Sequence, residues 1–280
     1  MPLPENIAAF IETLTRHDGF APFSDAKLPI DPDFGRAVLV AEDDNVIAIG
    51  AVASHAQSDR SVHKELETAV RPGMRFPAFE GAVLDASLPL VEGSDSYSIW
   101  SRRPSLDSVL DQRGFVVSRV LDYLVVDLPL VSLPEPSSEH RIRTFLPGDV
   151  EGMVAVNQAA FKGHREAAAL DAADMFEYRS QAMFDDEGVF IAESGGIAGF
   201  CWTKVHPDGD GEIFRIAVDP AHQGTGLGVA LLHAGFSYLT ARSDVRRGAL
   251  WVDRSNTSAV SLYLSVGMEL ERSNSEFTRE

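Results

Sequence analysis

The stretch richest in chemistry is Ala221-His-Gln-Gly-Thr-Gly-Leu-Gly228, which follows Gly211-Glu-Ile-Phe-Arg-Ile-Ala-Val-Asp-Pro220 and leads into Val-Ala-Leu-Leu232. Three glycines in five residues let the backbone turn its N–H groups inward where an amphipathic helix begins, and the positive end of that helix adds to their pull. Such a loop binds a pyrophosphate. It is neither a G-x-x-x-x-G-K-[ST] loop nor a Rossmann fingerprint, because no lysine follows and Gln223 opens it. Taken one at a time, the neighbouring residues have plain readings: Glu212 as a solvated strand-edge charge, Tyr263 as a packed helix residue, Asn256 as an N-cap. Cys201 reads as a small core residue rather than a nucleophile. His164, His206 and His222 share no metal-ligand spacing, and no metal is assigned.

These residues need a scaffold of strands and helices, and the pattern supplies one. Val150, Met153, Val154, Val156 and Phe161 have helical spacing behind Pro147-Gly148-Asp149, which predicts a helix over 149–161, and a second helix is expected over 168–184. There follow a hairpin over 189–202, a strand over 211–218, the glycine loop, a helix over 226–241, a strand over 249–252 and a helix over 257–266. Elements of these lengths predict an α/β sheet with helices on its faces.

The 280 residues suit two ordinary domains. Between LDYLVVDL and HRIRTF, the run Leu128-Pro-Leu-Val-Ser-Leu-Pro-Glu-Pro-Ser-Ser138 reads as a linker. The expected division is a first domain over 1–128, a linker over 129–139 and a second domain over 140–280. The halves also look duplicated. VLVAEDDNVIAIGAV at 38–52 matches VFIAESGGIAGFCW at 189–202, AVRP at 69–72 matches AVDP at 217–220, and LDQRGF at 110–115 matches YLSVGM at 263–268.

A formal charge of −18 disfavours attraction to nucleic acid or to anionic lipid. The single cysteine excludes an intrachain disulfide and any multi-cysteine zinc site, and it fits a reducing cytoplasm. No apolar stretch reaches the ~18 residues of a membrane span, and MPLPENIAAFIETL lacks the pattern of an export signal, so a soluble cytoplasmic protein, taken as a monomer, is expected.

Strand, V-D-P, Q-x-x-G-x-G, helix, strand, then Asn256 and a helix bearing Tyr263 before Gly267: this order resembles the GCN5-related N-acetyltransferase (GNAT) family, whose glycine loop holds the pyrophosphate of acetyl-CoA. GFCWTKVHPD at 199–208, NQAAFKGHRE at 157–166 and the duplicated layout are similar, more narrowly, to the mycothiol synthase family of actinobacteria. That resemblance covers nearly all of 140–280 and, more faintly, the first half. It implies two tandem GNAT-fold domains, each a mixed, mostly antiparallel splayed sheet flanked by helices. It also implies acetyl transfer from acetyl-CoA to the cysteinyl amine of Cys-GlcN-Ins. Two rivals stay open: a tandem acetyltransferase of another small amine, such as an amino acid or aminoglycoside, and a non-catalytic acyl-CoA-binding regulatory module.

Acetyl transfer to an amine needs a free-base nucleophile, a place for the oxyanion and a proton for the departing thiolate. Strand alternation puts Glu212, Phe214, Ile216 and Val218 on one face, which sets the Glu212 carboxylate beside the cleft as base. A cysteinyl amine titrates near ~7.7–8.0, so such a base need remove only a modest fraction of protons. Tyr263 is the expected acid. The resemblance assigns the pantetheine arm and thioester carbonyl to the backbone of Ile216, Ala217 and Val218. It gives the pyrophosphate to Gln223, Gly224, Thr225, Gly226, Leu227, Gly228 and Val229, with Asn256 near the CoA arm. For the acceptor it carries over Asp25, Glu166, Lys204, Glu212 and Trp251. Two of these depart from the family pattern: Trp251 stands where tyrosine is usual, and Asp25 is a methylene shorter than the usual glutamate.

The first domain is expected to be inert and to bind acetyl-CoA weakly or not at all. Aligning AVRP with AVDP sets Arg75-Phe-Pro-Ala-Phe-Glu80 against Gln223–Gly228, so Ala78 replaces Gly226 and Glu80 replaces Gly228. Arg103 then stands opposite Asn256, and Leu110 opposite Tyr263.

Overall fold

The computed structural model describes residues 5–23, 38–42, 45–56, 61–130, 141–162, 175, 185–206 and 209–279, with backbone only at 38–42 and 55–56. The expected helix over 168–184, the linker beyond Leu130, and Asp25 and Glu166 of the expected acceptor set lie outside the described residues, apart from Met175. The chain forms two compact units, one of Met1–Val120 with Ser273–Glu280, the other of Leu121–Arg272.

In the first unit, strands β1 (Val38–Glu42), β2 (Asn45–Ala56), β3 (Val62–Val70) and β4 (Ser96–Ser101) are joined by the end of β11 (Glu269–Thr278). The β1/β2 and β2/β3 pairs are antiparallel, β3/β4 is parallel, and Ser275–Phe277 of β11 runs antiparallel to β4. Helix α1 (Glu5–Asp18) buries Ile7, Phe10 and Leu14 against Ile49 and Ala69. Helices α2 (Pro77–Ser87) and α3 (Pro104–Gln112) pack Leu84, Leu106 and Leu110 against Leu66 and Ile99.

The second unit repeats this plan. Strands β6 (Arg141–Thr144), β7 (Val189–Glu193), β8 (Ile197–Val205) and β9 (Asp210–Val218) pair antiparallel in turn. Strand β10 (Arg247–Asp253) is parallel to β9, and Leu121–Asp127 of β5 (Val116–Asp127) closes the order antiparallel to β10. On one face lies α4 (Val150–Ala160), with Met153 and Val156 against Ile191, Phe200 and Trp202. On the other lies α5 (Leu227–Ala241), whose Leu231, Leu232, Phe236 and Leu239 are at most 1% exposed. Burying each such side chain contributes about 1.5–3 kcal/mol, so Phe236→Ala is the sort of change that costs about 3–5 kcal/mol. Gly235 lets α5 approach closely, since a Cβ there would stand 2.7 Å from Ile213 Cδ1 and 2.8 Å from Cys201 Sγ. The last helix, α6 (Thr257–Ser265), carries Tyr263 into the same cluster.

The linker-based boundaries at 128 and 140 would leave β5 wholly in the first half and β11 wholly in the second. The structure instead draws Leu121–Asp127 into the second unit and Ser273–Glu280 into the first. Composition could not reveal this exchange, because strand pairing between segments distant in sequence leaves no local signal. Among the described residues no helix is long and apolar enough to cross a membrane.

Candidate active site

The site is built around β9. Its pairing with β8 slips between Trp202 and Thr203, where Trp202 faces Arg215 and Thr203 faces Ile213. Phe214 is the extra residue of a β-bulge, so Phe214 and Arg215 both turn toward α4: Phe214 stacks edge-on against Trp202 at 5.0 Å, and Arg215 donates to Asn157 Oδ1 at 3.0 Å. The bulge corrects the simple alternation expected from sequence. Glu212 and Phe214 share the α4 face, whereas Ile216 and Val218 pack with the α5 cluster.

Beyond Glu212 the sheet opens. Pairing of β9 with β10 covers only Arg247↔Asp210, Gly248↔Gly211 and Ala249↔Glu212, although β9 runs on to Val218 and β10 to Asp253. The edge of β9 at Ile216, Ala217 and Val218 that looks away from β8 therefore lines a widening gap. Backbone N–H and C=O groups exposed along such an edge can receive an extended, amide-bearing arm as a strand would.

At the wide end of the gap lies the glycine loop. Asp219 accepts from Ala221 N at 2.8 Å, Gln223 Nε2 folds back on Val218 O at 3.2 Å, and Thr225 Oγ1 donates to His222 O at 2.7 Å. The Gln223 and Thr225 side chains thus brace the loop. Gly224 and Gly226 have φ of +75° and +82°, a region that side-chain-bearing residues resist, and Gly226 caps α5 in the left-handed conformation. The first bond within α5 runs from Ala230 N to Gly226 O at 3.1 Å, which leaves the amides of Leu227, Gly228 and Val229 with no acceptor inside the helix. Leu227 turns its side chain into the core, so only its backbone serves the loop. A Cβ at Gly228 would meet nothing closer than Leu262 and Val218, each at 4.0 Å. Packing does not require glycine there, and the space beside these amides is open. Asn256 caps α6 by accepting from Ala259 N at 3.2 Å.

On the α4 face lie the three residues of the expected acceptor set that are described. Lys204 is paired with Glu212 across β8 and β9, and the two are 5% and 6% exposed. Lys204 Nζ lies 5.2 Å from the centre of the Phe214 ring. Trp251 is two residues beyond Ala249, the β10 partner of Glu212, and so shares its face. Its ring lies 4.8 Å from Tyr123, its partner on β5, and the Arg272 guanidinium covers Tyr123 at 3.6 Å. Burial, then the negative charge of Glu212, push the Tyr123 phenol far above its ordinary range. Tyr263, 6% exposed, belongs to the α5 cluster instead. The structure thus gathers Lys204, Glu212 and Trp251 on one face and holds Tyr263 on the other, with the gap between β9 and β10 separating them.

Tyr123, Arg272 and His206 are polar neighbours that the sequence reading did not place in this site. His206 Nε2 is hydrogen-bonded to Glu212 Oε2. A hairpin signal existed for it, since Val205 faces Gly211 and Pro207-Asp208-Gly209 spells a turn. Tyr123 and Arg272 had none, because they arrive on strands distant in sequence.

The first unit differs at the corresponding positions. Glu80, in the place of Gly228, is fully buried, and Arg103 grips it with Nε–Oε1 at 2.8 Å and Nη2–Oε2 at 3.0 Å. Ser105 Oγ adds 3.0 Å to Oε1, while Arg103 Nη1 donates at 2.9 Å to Thr68 O, the counterpart of the Ile216 carbonyl at an offset of 148 residues. Arg75, in the place of Gln223, makes a bidentate bond to Asp18 at 2.7 and 2.6 Å. Burial opposes ionisation of Asp18, yet the bonds from Arg75 and His17 hold its carboxyl below the ordinary value. A cavity of about 320 Å³ here is lined by Leu14, Ala69, Arg75, Arg102 and Arg103, and each arginine already has a carboxylate partner. His63, Glu65 and Glu276, elsewhere in this unit, bring ligand atoms within 4.8 Å of one another. Both ring nitrogens of His63 engage serine hydroxyls, Ser96 at 2.9 Å and Ser98 at 3.1 Å, so a hydrogen-bonded network accounts for the group.

Comparison with known proteins agrees with this geometry. The family model described as Acetyltransferase (GNAT) family matches residues 154–268. Mycothiol acetyltransferase of Kocuria rhizophila is 34% identical over 96% of this chain and 93% of its own. That of Thermomonospora curvata is 34% identical over 95% and 90%. In fold, the chain is similar to a GCN5-related N-acetyltransferase from Sphaerobacter thermophilus, with a TM-score of 0.75 at 22% identity over 100% of this chain and 94% of that one. It is likewise similar to a tandem GNAT protein from the clavulanic acid biosynthesis pathway, with a TM-score of 0.68 at 14% identity over 99% and 95%. A duplicated sheet that splays at a buried carboxylate and ends in a glycine-capped helix, together with full-length relatives above 30% identity, places this chain in the mycothiol acetyltransferase family of GNAT N-acetyltransferases.

Proposed function

We propose that this N-acetyltransferase moves the acetyl group of acetyl-CoA to the cysteinyl amine of Cys-GlcN-Ins, giving mycothiol and CoA, and that it does so in the second unit. The observation that carries this reading is the opening of the sheet immediately after Glu212, between a loop suited to pyrophosphate and a face suited to a polyol amine.

In this reading the backbone of Ile216–Val218 receives the pantetheine arm, the amides of Gly224–Val229 receive the pyrophosphate, and Asn256 borders the arm. Glu212 takes a proton from the amine nitrogen as it adds to the thioester. The nitrogen attacks the thioester carbonyl from the α4 face, backbone N–H on the open edge of β9 meets the developing oxyanion, and the C–S bond breaks. Tyr263, on the other face, gives its proton to the leaving thiolate. Lys204 and Trp251, with Asp25 and Glu166, bind the acceptor hydroxyls. The Trp251 indole donates one hydrogen bond and accepts none, which narrows the hydroxyl arrangements it can meet. The first unit is catalytically silent, and the protein works as a cytoplasmic monomer.

The test is to incubate the protein with acetyl-CoA and a panel of amines, following CoA release and product mass. Transfer to Cys-GlcN-Ins far above that to free cysteine or an aminoglycoside supports the reading. Equal transfer to free cysteine favours a small-amine acceptor, and binding without transfer favours a regulatory module. Glu212→Gln should lower kcat by about 10²-fold or more and leave acetyl-CoA affinity within a fewfold.

A further inference from the structure

We propose that His206 is the positioning residue of Glu212: its Nε2–H holds one carboxylate oxygen, which fixes the rotamer and leaves Oε1 to take the amine proton. The inference rests on the function proposed above and adds a residue to it.

The hairpin between β8 and β9 dictates the contact. Lys204 pairs with Glu212 and Val205 with Gly211, then His206 N donates to Asp210 O at 2.8 Å and Gly209 N to His206 O at 3.0 Å. His206 is two residues beyond Lys204 and so returns to the same face, diagonally across from Glu212. Its Nε2 meets Glu212 Oε2, with 26% of the His206 side chain exposed and 7% of the Glu212 side chain. A carboxylate accepts and does not donate, so the bond assigns a proton to Nε2.

Glu212 is more than nine-tenths buried, and a carboxylate stays charged in such a place only with donors or cations to replace water. Lys204 supplies charge from β8 and His206 supplies a directed N–H. Asp210, on the same strand, is engaged by Arg247 at 2.6 Å, and Arg247 and Arg272 both pair with Glu271, while Tyr123 lies under the Arg272 guanidinium. Proton balance is simple. The acceptor ammonium loses one proton to solvent to become the amine, and the attacking nitrogen then loses a second to Oε1. Tyr263 gives one to the thiolate and is reprotonated from water, while the Nε2–H bond stays in place throughout.

The experiment has two arms. In the protein without substrates, nitrogen NMR of the His206 ring should show the Nε2–H tautomer when neutral; an Nδ1–H tautomer overturns the proposal whatever the turnover. In the second arm, CoA release is measured with whichever amine the wild type acetylates. His206→Leu should lower kcat about tenfold or more and leave KM for acetyl-CoA within about threefold. His206→Gln, which sets an amide N–H near the Nε2 position, should restore most of kcat. Wild-type turnover in His206→Leu, or no recovery in His206→Gln when both bind acetyl-CoA normally, overturns the role. Absence of transfer by the wild type would overturn the proposed function, and the NMR arm would then still decide the geometry.

Discussion

Gly228→Glu copies into the second unit the residue that the first unit carries, and it separates cofactor recognition from fold. The new side chain has room, because nothing approaches its Cβ position more closely than 4.0 Å. Gly228 is the second residue of α5 and has no positive φ, so any L-residue fits the backbone. Replacing an in-helix glycine gains about 0.5–1 kcal/mol, and a carboxylate in the first turn adds a few tenths against the helix dipole. Stability should therefore rise by about 1 kcal/mol, some 2–4 °C for a unit of this size. Binding should move the other way. A carboxylate about 5 Å from a phosphate at an effective dielectric near 20 costs about 3 kcal/mol, which solvent screening at this half-buried position reduces to about 2. Acetyl-CoA affinity then falls by about 30-fold or more. Calorimetric titration should find one site per chain in the wild type and its near loss in the variant, with an unchanged or higher Tm. Two comparable wild-type sites, or one that survives Gly228→Glu, would refute the assignment of the only cofactor site to this loop and the silence of the first unit.

Tyr263→Phe removes a single hydroxyl from the α5 cluster and should slow the single-turnover rate about tenfold or more with little change in Tm; rates equal to wild type at every pH would leave protonation to water. Lys204→Ala should raise KM for the acceptor at least tenfold and KM for acetyl-CoA hardly at all, and the reverse pattern would move Lys204 to the cofactor side. Cys201 is fully buried and burial pushes its thiol far above the ordinary value, so a thiol reagent at pH 8 should label it only after unfolding. Labelling of the native protein at the rate of a free thiol would show that α5 opens readily.

The second unit was largely legible because each of its signals is local. The expected helix over 149–161 is found as Val150–Ala160, the strand over 211–218 as Asp210–Val218, the helix over 226–241 as Leu227–Ala241 and the helix over 257–266 as Thr257–Ser265. Gly114 and Gly267, matched in the repeat, both follow a helix with positive φ. What failed to show was anything set by pairing. The bulge at Phe214 left no mark in the residue types, and it reverses the faces of Ile216 and Val218. It also disturbs the alignment of the repeats. An offset of 148 carried back along the strand would set Lys64 against Glu212, yet Glu65 faces Ser98 as Glu212 faces Ala249 when Trp100 is matched to Trp251. The unbulged β3 thus holds a carboxylate in that place, one residue out of step. Glu80 was visible as a lost glycine, but the Arg103 side chain that closes over it was not, since contacts across loops have no period.

The exchange of final strands bears on the order in which the protein can be made. As the chain leaves the ribosome, β1 to β4 appear early, but the partner of β4 is Ser275–Phe277, which follows some 170 residues later. Until then the first unit has an open edge at β4, and an open edge is an invitation to pair with the wrong chain. Leu121–Asp127 waits a shorter interval, Arg247 following its partner Asp127 by 120 residues. Cutting the gene at the linker would therefore yield two fragments that each carry the other's closing strand, so co-expressed halves should recover activity where either half alone aggregates.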